Sequence, residues 1–268
     1  MNSQLLQAHL DGVKRAVAQA GEAILDIYGD PSRFDTEQKA DSSPLTAADL
    51  AANKILVDYL QALTPDTPIL SEESAQAPWE ERKHWTSCWV VDPLDGTKEF
   101  LKRNDEFTVN VALIDGHRPV LGVVYAPALG RWYFAAEGVG AWRQEGDQAP
   151  VAIAVVDKEP QGSWRVVGSR SHPSPELKAF VDRLGPAELV SMGSSLKLCL
   201  VAEGQADIYP RLGPTSEWDT AAAHAVVRAA GGEVYNADTG QPLTYNARET
   251  ILNPHFIVCA QPDPSWFE

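Results

Sequence analysis

The N-terminal part of the chain alternates apolar and polar positions with the period of an α-helix. Across residues 4–28, apolar side chains from Leu6 to Ile27 recur at steps of four and three. This spacing predicts one amphipathic helix with a single apolar face. The polar residues 35–45 that follow predict a loop, in which Lys39 is expected to be solvated.

A second helix is predicted over residues 47–63, where apolar positions again recur at helical spacing. Thr46 and Asp49 stand at its start with the spacing of a capping box, in which each side chain bonds the backbone N–H of the other residue. Asp49 therefore has a complete structural role available as a helix cap. Spacing alone favours that role over a chemical one.

From residue 69 onward the pattern changes to short apolar runs separated by turn residues, which is typical of β-strands. Asp115 and Gly116 form the strongest turn signal and predict a hairpin. Successive hairpins predict an antiparallel sheet in the first half of the chain. The strands are expected at residues 69–70, 89–91, 107–114, 119–125 and 131–136, and residues 138–142 and 151–155 continue this β-rich run.

The second half of the chain alternates predicted strands with predicted helices, as layered α/β domains do. Polar, turn-rich residues separate it from the first half. We therefore expect an N-terminal domain of residues 1–156 and a C-terminal domain of residues 157–268. Helices are expected at residues 175–184, 195–203 and 219–230, and strands at residues 164–168, 189–192, 206–209 and 256–260.

Charge and cysteine usage narrow the classes of function. A formal net charge of −15 argues against DNA or RNA as a partner, since binding a polyanion requires a basic face. Cys88, Cys199 and Cys259 are odd in number and far apart, which fits buried thiols in a reducing compartment. No apolar run of about 18 residues predicts a membrane span, and the N-terminus lacks a signal-peptide pattern. These features indicate a cytoplasmic globular protein.

Candidate chemistry concentrates where the second predicted strand ends. Pro93 removes a backbone donor, so we expect the strand to stop there, with Asp92 and Asp95 on either side of the break. Gly96 lets a ligand approach the backbone, and Thr97 adds a hydroxyl. Such a strand end suits a divalent cation and a phosphate. The same residue types also form ordinary turns, so this motif alone leaves both interpretations open.

Two further acidic residues, Glu72 and Asp219, are candidates for the same site because of their predicted positions. Glu72 follows the first predicted strand, and it converges with Asp92 and Asp95 if that strand neighbours the second one; otherwise it is solvated. Asp219 lies in the first turn of the last long helix, where the helix dipole alone favours a negative charge by about 0.3–1 kcal/mol. His224 does not share a helical face with Asp219, so we expect a packed or surface histidine rather than a ligand.

As a set, these segments resemble the lithium-sensitive, magnesium-dependent phosphatase superfamily that contains inositol monophosphatase and fructose-1,6-bisphosphatase. Three stretches carry the resemblance in their order and spacing: Glu72-Glu73, residues 92–97, and Trp218-Asp219. The resemblance implies an α/β (α+β) fold, a layered αβαβα sandwich. It also implies inhibition by lithium and calcium.

One branch of that superfamily is a closer match. Inositol monophosphatases usually have Asp-Gly-Thr-x-Asn-Phe, whereas residues 95–100 here are Asp-Gly-Thr-Lys-Glu-Phe. This run, together with residues 190–204 and residues 209–215, is similar to the bacterial 3′(2′),5′-bisphosphate nucleotidases of sulfate assimilation. The implied substrate is a small phosphorylated nucleotide.

The resemblance implies roles for individual residues. Two or three magnesium ions would be held by the carboxylates of Glu72, Asp92, Asp95 and Asp219 and by the backbone carbonyl of Leu94. Asp49 and Thr97 would orient and deprotonate the attacking water. The implied substrate contacts are Glu72, Leu94, Asp95, Gly96, Thr97 and Asp219 at the reacting phosphate, Ser171 and His172 at the nucleotide, and Ser195, Lys197 and Arg211 at the 5′-phosphate.

The expected function is therefore removal of the 3′-phosphate from 3′-phosphoadenosine 5′-phosphate, which leaves AMP. An inositol or sugar monophosphatase of the same fold is the first alternative. A non-catalytic metal or nucleotide sensor is a second, disfavoured because Asp49 and Thr97, needed only for the water, are both present. A purely structural acidic domain is a third. Oligomeric state and peripheral association with the cytoplasmic side of the inner membrane stay open.

Overall fold

The computed structural model describes residues 1–34, 36–38, 44–157, 162–169 and 175–267. Lys39, Ser171 and His172, which the sequence singled out, lie outside the described residues. Within the described residues the α-helices are α1 (Ser3–Tyr28), α2 (Ala47–Leu63), α3 (Trp79–Arg82), α4 (Thr97–Lys102), α5 (Pro175–Leu184), α6 (Leu196–Ala202) and α7 (Ala221–Ala229).

Helices α1 and α2 form the outermost layer of the first half. The apolar face of α1 is buried from Leu6 to Ile27, which confirms the helix that the spacing predicted. Helix α2 has the bounds that the sequence predicted and begins with a complete capping box between Thr46 and Asp49. Both helices pack on one face of a large sheet, so their apolar faces have a partner to bury against.

That sheet has seven strands in the order β3-β4-β5-β6-β7-β8-β9, and every pairing is antiparallel except that of β3 with β4. A two-stranded pair, β1 with β2, lies apart from it. The strands are β1 (Glu37–Gln38), β2 (Pro44–Leu45), β3 (Ile69–Ser71), β4 (Ser87–Asp95), β5 (Thr108–Asp115), β6 (Arg118–Ala126), β7 (Arg131–Ala136), β8 (Gly140–Glu145) and β9 (Val151–Ala152).

The prediction that the second strand ends at Pro93 is wrong. Strand β4 continues to Asp95, and its register against β5 shifts between Asp92 and Asp95. Proline is tolerated at such an irregularity because the ladder there needs no N–H from it. The bulge therefore replaces the predicted break, and it re-aims the two aspartates without ending the strand.

Helices α6 and α7 form the middle layer between the two large sheets. Helix α7 packs against β5, β6 and β7, while α6 contacts α7 and strands of the second sheet. The approach of α7 to β6 is close at Gly122, where an added Cβ atom would lie 2.1 Å from the carbonyl oxygen of Ala222. The glycine is therefore required by the packing of this layer.

The second sheet has five strands in the order β11-β10-β12-β14-β13. Its first three strands are parallel neighbours, and β14 runs antiparallel to both β12 and β13. Helix α5 covers its outer face through Phe180, so the chain has the expected αβαβα order of layers. The strands are β10 (Trp164–Ser169), β11 (Ala187–Met192), β12 (Ile208–Arg211), β13 (Glu233–Asn236) and β14 (Phe256–Cys259).

Several element boundaries differ from the sequence expectation. The last long helix begins at Ala221, because residues Glu217–Asp219 form a separate 3₁₀ turn. The strand expected at 151–155 stops at Ala152, after which Val155 donates its N–H to the carbonyl of Ala230 instead. Helices α3 and α4 and strands β1, β2 and β13 were not predicted, since each is short and has little periodicity; β1 and β2 lie within the predicted loop of residues 35–45.

The largest apolar cluster takes residues from both halves of the chain, including Val90 and Tyr133 on one side and Val167 and Tyr209 on the other. Because this cluster joins the two halves, the predicted domain boundary between residues 156 and 157 stays a prediction. The cysteines are buried and free, as expected. Among the described residues, no helix combines the length and hydrophobicity that crossing a bilayer requires.

Replacing Gly122 with alanine should lower the free energy of unfolding by about 1–3 kcal/mol, since overpacking a tight core forces backbone shifts of that cost. The matched control is Gly29→Ala at the end of α1, where the added Cβ atom would lie at an ordinary 3.5 Å. Urea unfolding of both variants measures the difference. Equal midpoints for the two variants would contradict the close approach of α7 to β6.

Candidate active site

The candidate site is built on the edge of the seven-stranded sheet where β3 and β4 end side by side. The parallel pairing of Leu70 with Val90 and of Ser71 with Val91 confirms that the two strands are neighbours. Glu72 then donates its backbone N–H to the carbonyl of Val91 at 3.2 Å. This hydrogen bond places Glu72 beside Asp92. The convergence of the acidic residues that the sequence predicted for neighbouring strands is therefore observed.

Asp219 reaches the same place from the second half of the chain. The 3₁₀ turn that contains it packs against β4 and β5. One carboxylate oxygen, Oδ2, accepts the N–H of Ser216 at 2.8 Å and so caps the turn. The negative charge of Asp95 acts on the same carboxyl group. Asp219 is therefore both a cap and a member of the acidic cluster.

The three aspartates repel one another at the wall of the cleft, where Asp92 is buried and Asp95 and Asp219 are half-buried. Burial raises the pKa of Asp92 well above its usual range, and the charges of Glu72 and Asp95 raise it further. Burial likewise raises the pKa of Asp219 to about 8, with the charge of Asp95 as the next cause. Burial also raises the pKa of Asp95 to about 6, although the Lys197 ammonium opposes the rise. The protein alone does not balance these charges.

This donor set fits magnesium. Carboxylates that are buried together at a cost become favourable ligands once a divalent cation is present. Among the described residues, no three acidic, histidine or cysteine side chains are grouped tightly enough to hold an ion by themselves. Magnesium commonly binds through one or two carboxylates, with waters and substrate phosphate as its other ligands. The hard oxygens of the carboxylates and of the Leu94 carbonyl suit that mode.

Asp49 and Thr97 meet beside the acidic cluster. The side chain of Asp49 is 1% exposed, and its Oδ2 accepts bonds from the backbone N–H and the hydroxyl of Thr46 at 2.8 and 2.5 Å. Its other oxygen, Oδ1, lies 3.4 Å from the Thr97 hydroxyl. Asp49 therefore caps α2 with one oxygen while its other oxygen faces Thr97, so the capping role leaves its predicted role in the chemistry open.

Gly96 allows the chain to turn from β4 into α4. Its φ of +91° lies in the left-handed region, where a side chain would be strained, and an added Cβ atom would lie 3.2 Å from the carbonyl oxygen of Glu106. Helix α4 starts at the next residue, Thr97. Both residues line the larger of two cavities in the cleft between the halves of the chain.

The second half contributes two cations to this cleft. Lys197 on α6 lies close enough to Asp95 and Glu99 for their charges to act on its pKa, which burial lowers. Arg211 at the end of β12 donates from Nη2 to the carbonyl of Pro214 at 2.9 Å. Its buried Nε atom has no hydrogen-bond partner within the described part of the chain. A buried donor without a partner is costly, so it suits a ligand acceptor.

Ser195 occupies a different position from the one its motif suggested. Its hydroxyl donates to Asn110 Oδ1 at 2.6 Å and lies 2.9 Å from Thr108 Oγ1, and the side chain does not line either cavity of the cleft. Its backbone N–H instead bonds Asp95 and lowers the pKa of that group. Ser195 therefore supports an acidic residue of the site through its backbone.

The cleft holds a larger cavity of about 630 Å³ and a smaller one of about 110 Å³. Sequence reasoning missed Glu99, a buried residue in the wall of both, although the change from asparagine at that position was the available signal. From the second half it predicted Asp219, Lys197 and Arg211, which lie in motifs of the resemblance, but not Tyr209 or Thr215. The residues common to both cavities are Asp95, Gly96, Glu99, Tyr209, Arg211, Thr215 and Asp219.

His224 is not a ligand but a packed histidine, as the sequence suggested. It is completely buried in α7, with Nδ1 2.9 Å from the Tyr245 hydroxyl and Nε2 hydrogen-bonded to Glu233. Burial lowers the pKa of His224. The histidine thus belongs to the structural core beneath the site.

Residues 6–262 match the model of the inositol monophosphatase family, and the chain belongs to that family. Members of the family depend on magnesium. Among its relatives, the 3′(2′),5′-bisphosphate nucleotidase CysQ of Escherichia coli (strain K12) is 53% identical over 93% of this chain and 98% of its own length. The CysQ nucleotidase of Buchnera aphidicola is 43% identical over 94% of this chain and 93% of its own length.

Solved structures agree with this assignment. The crystal structure of CysQ from Bacteroides thetaiotaomicron, described as a bacterial member of the inositol monophosphatase family, has a TM-score of 0.84 and 45% identity over 96% of this chain and 98% of its own. An inositol monophosphatase from Anabaena (Nostoc) has a TM-score of 0.74 and 25% identity over 95% and 91% of the two chains. The CysQ structure is therefore the more similar of these two structures.

Proposed function

We propose that the chain is a magnesium-dependent phosphatase that removes the 3′-phosphate of 3′-phosphoadenosine 5′-phosphate and leaves AMP and inorganic phosphate. One observation carries the proposal: a buried acidic cluster and two cations, Lys197 and Arg211, line one connected cleft. The nucleotidase relatives at 53% identity support the same activity. Such an enzyme would recycle the nucleotide by-product of sulfate assimilation.

Asp49 and Thr97 prepare the attacking water. The Thr97 hydroxyl lies 3.4 Å from Asp49 Oδ1 and 3.4 Å from the Leu94 carbonyl oxygen. In the proposed step it passes its proton to Asp49 Oδ1 while its Oγ1 takes the proton of the attacking water, so the proton ends on Asp49. Asp49 is held in place because its other oxygen is fixed by Thr46. The pair therefore orients the water and receives its proton, a contribution that is typically worth 10²–10⁴-fold in rate.

The acidic residues hold the cofactor, and the turn after β4 holds the reacting phosphate. Glu72, Asp92, Asp95, Asp219 and the Leu94 carbonyl would bind two or three magnesium ions. Bound magnesium supplies the positive charge that the transferring phosphoryl group requires and lowers the pKa of water. The backbone N–H groups of Gly96 and Thr97, which line the larger cavity, bind phosphate oxygens.

Lys197 and Arg211 bind the second phosphate of the substrate. Lys197 lines the smaller cavity, whereas Arg211 lines both cavities, and its buried Nε donor has no hydrogen-bond partner among the described residues. A guanidinium and an ammonium bind phosphate through charge-assisted hydrogen bonds. A monophosphate has nothing to place there, so these residues select a bisphosphate. Ser171 and His172 remain predicted nucleotide contacts.

Lys197→Ala tests this assignment. We expect KM for 3′-phosphoadenosine 5′-phosphate to rise by about tenfold or more, and KM for the monophosphate 3′-AMP to change by less than about threefold, since only the bisphosphate loses a charged contact. Initial rates of phosphate release measure both. The control variant is Lys178→Ala, which removes an exposed lysine paired with Asp182 on α5.

Equal effects of Lys197→Ala on the two substrates would contradict the second-phosphate site. A wild-type enzyme that hydrolyses 3′-AMP as well as the bisphosphate would contradict the proposed function itself. The two results are therefore separable in one set of assays.

The cellular location follows from the same proposal. The free, buried cysteines suit a reducing cytoplasm, where sulfate assimilation takes place. Peripheral association with the cytoplasmic side of the inner membrane stays a prediction, which co-sedimentation of the protein with vesicles of anionic lipid would test.

A further inference from the structure

The larger cavity extends beyond the groups that the proposed chemistry uses. Its volume of about 630 Å³ lies well within the range of complete small-molecule sites and is much larger than a phosphate group requires. Three leucines that the proposed chemistry does not use line this cavity and do not line the smaller one: Leu177, Leu212 and Leu252. We call these three residues the leucine wall.

Leu252 is held in place although half of it faces solvent. Its side chain is 52% exposed. The backbone around it is fixed, because Ser216 forms a β-bridge with Leu252 and Asn253 donates its N–H to the carbonyl of Thr215 at 2.8 Å. These bonds connect Leu252 to the turn that carries Asp219. A single exposed leucine is ordinary, but this one stands at a fixed position inside the cavity of the candidate site.

The other two leucines approach from different elements. Leu177 lies in the first turn of α5, and Leu212 directly follows Arg211 at the end of β12. Both are partly exposed, and both line the same cavity as Leu252. Residues from three separate segments thus present apolar surface to one space, which is how pockets for apolar or aromatic groups are usually built.

The order of groups in the cleft constrains what the leucine wall can bind. Lys197 lines only the smaller cavity, the leucines line only the larger one, and Arg211 lies in the wall of both. A ligand whose reacting phosphate lies at Asp95 and Asp219 therefore has two directions open to it. One leads into the smaller cavity, which Lys197 lines, and the other leads into the larger cavity, which the leucine wall lines.

We propose that the leucine wall binds the heterocyclic base of the substrate nucleotide, with the flat apolar face of the base against Leu252 and Leu212. The inference rests on the proposed function and adds the element that distinguishes a nucleotide from an inositol or sugar phosphate. A ribose carrying two phosphates and a base is a branched molecule, and its charged and apolar branches match the two directions of the cleft.

The test compares two substrates that differ only in the base: 2′-deoxyadenosine 3′,5′-bisphosphate and 1,2-dideoxyribose 3,5-bisphosphate. We expect wild-type kcat/KM to be higher for the nucleotide. In Leu252→Ala and in Leu212→Ala, the ratio of nucleotide to base-free kcat/KM should fall by about tenfold, as small changes in an apolar pocket usually cause. Initial rates of phosphate release give both values.

Leu189→Ala is the matched control, because Leu189 is a 65% exposed leucine on β11 that lines neither cavity of the cleft. Its ratio should equal that of the wild type. An unchanged ratio in both Leu252→Ala and Leu212→Ala would overturn the proposal, as would wild-type enzyme with no preference for the base. Failure of wild-type enzyme to hydrolyse either bisphosphate would instead overturn the proposed function, and this inference with it.

Discussion

Asp95→Asn should lower kcat/KM for the bisphosphate by about 10³-fold or more. The neutral amide withdraws a charged oxygen ligand from the centre of the acidic cluster, and several kcal/mol of transition-state stabilisation depend on the cation that this cluster holds. Asp95 is also the group through which Lys197 and the backbone of Ser195 contact the cluster. Steady-state rates over a range of Mg²⁺ concentrations measure the loss.

The same substitution should make the magnesium-free protein more stable at neutral and higher pH. The folded state raises the pKa of Asp95 from 3.8 to about 6, so the folded protein binds this proton more tightly than the unfolded chain does. Its stability contribution is therefore fully present below about pH 4 and is lost as the pH rises through 6. Asparagine cannot ionise and avoids that loss.

Melting curves in EDTA at two pH values check this second expectation. At pH 8 the variant should melt above the wild type, by about 2–4 °C for each kcal/mol recovered in a protein of this size. At pH 4 the two should melt together. The control is Asp182→Asn, which alters an exposed aspartate on α5. A variant that keeps magnesium-dependent turnover within tenfold of the wild type would contradict the assigned cluster.

Thr97→Val should lower kcat by 10²–10⁴-fold while leaving KM within about threefold, the effect of removing a positioned proton carrier. Valine keeps the shape of threonine and removes the hydroxyl that faces Asp49 Oδ1. Asp49→Asn should lower kcat similarly. It should also cost about 1 kcal/mol of stability, since Asp49 caps α2 as well.

The double variant distinguishes a shared role from two separate ones. If Asp49 and Thr97 act on one water as a pair, removing both should cost little more than removing either one. Rates for the four proteins complete the cycle. Independent, multiplicative losses would contradict the pairing, and an unchanged kcat for Thr97→Val would remove Thr97 from the chemistry.

The sequence predicted those parts of the fold that depend on local period. The apolar residues from Leu6 to Ile27 lie on one face only if the segment is an α-helix, so the helix was predictable. The hairpin at Asp115 and Gly116 was predictable from its local turn signal. The bulge in β4 was missed because Pro93 breaks a regular ladder, whereas pairing with β5 on either side of it holds the strand together. Short elements such as α4 depend on tertiary contacts, and they are too short for a hydrophobic periodicity to be recognised in the sequence.

The residues of the acidic cluster, together with Lys197 and Arg211, were predictable because the motifs that carry the family resemblance contain them. Glu72 depended on one pairing, β3 with β4, which the structure confirms. The leucine wall is different, since Leu177, Leu212 and Leu252 meet only through the arrangement of the second sheet. Motif position was misleading for Ser195, because it suggested a contact to the 5′-phosphate, whereas the Ser195 hydroxyl is hydrogen-bonded to Asn110 inside the protein.

The most direct test of the account is phosphate release from 3′-phosphoadenosine 5′-phosphate and from inositol 1-phosphate, measured side by side with Mg²⁺ and with EDTA. We expect turnover only with Mg²⁺, AMP as the nucleotide product, and a preference for the nucleotide of about 10²-fold, which is about 2.7 kcal/mol of transition-state discrimination. A preference for inositol 1-phosphate would contradict the substrate assignment, and only the proposed magnesium site at the acidic cluster would remain. Release in EDTA at the rate seen with Mg²⁺ would contradict the account as a whole.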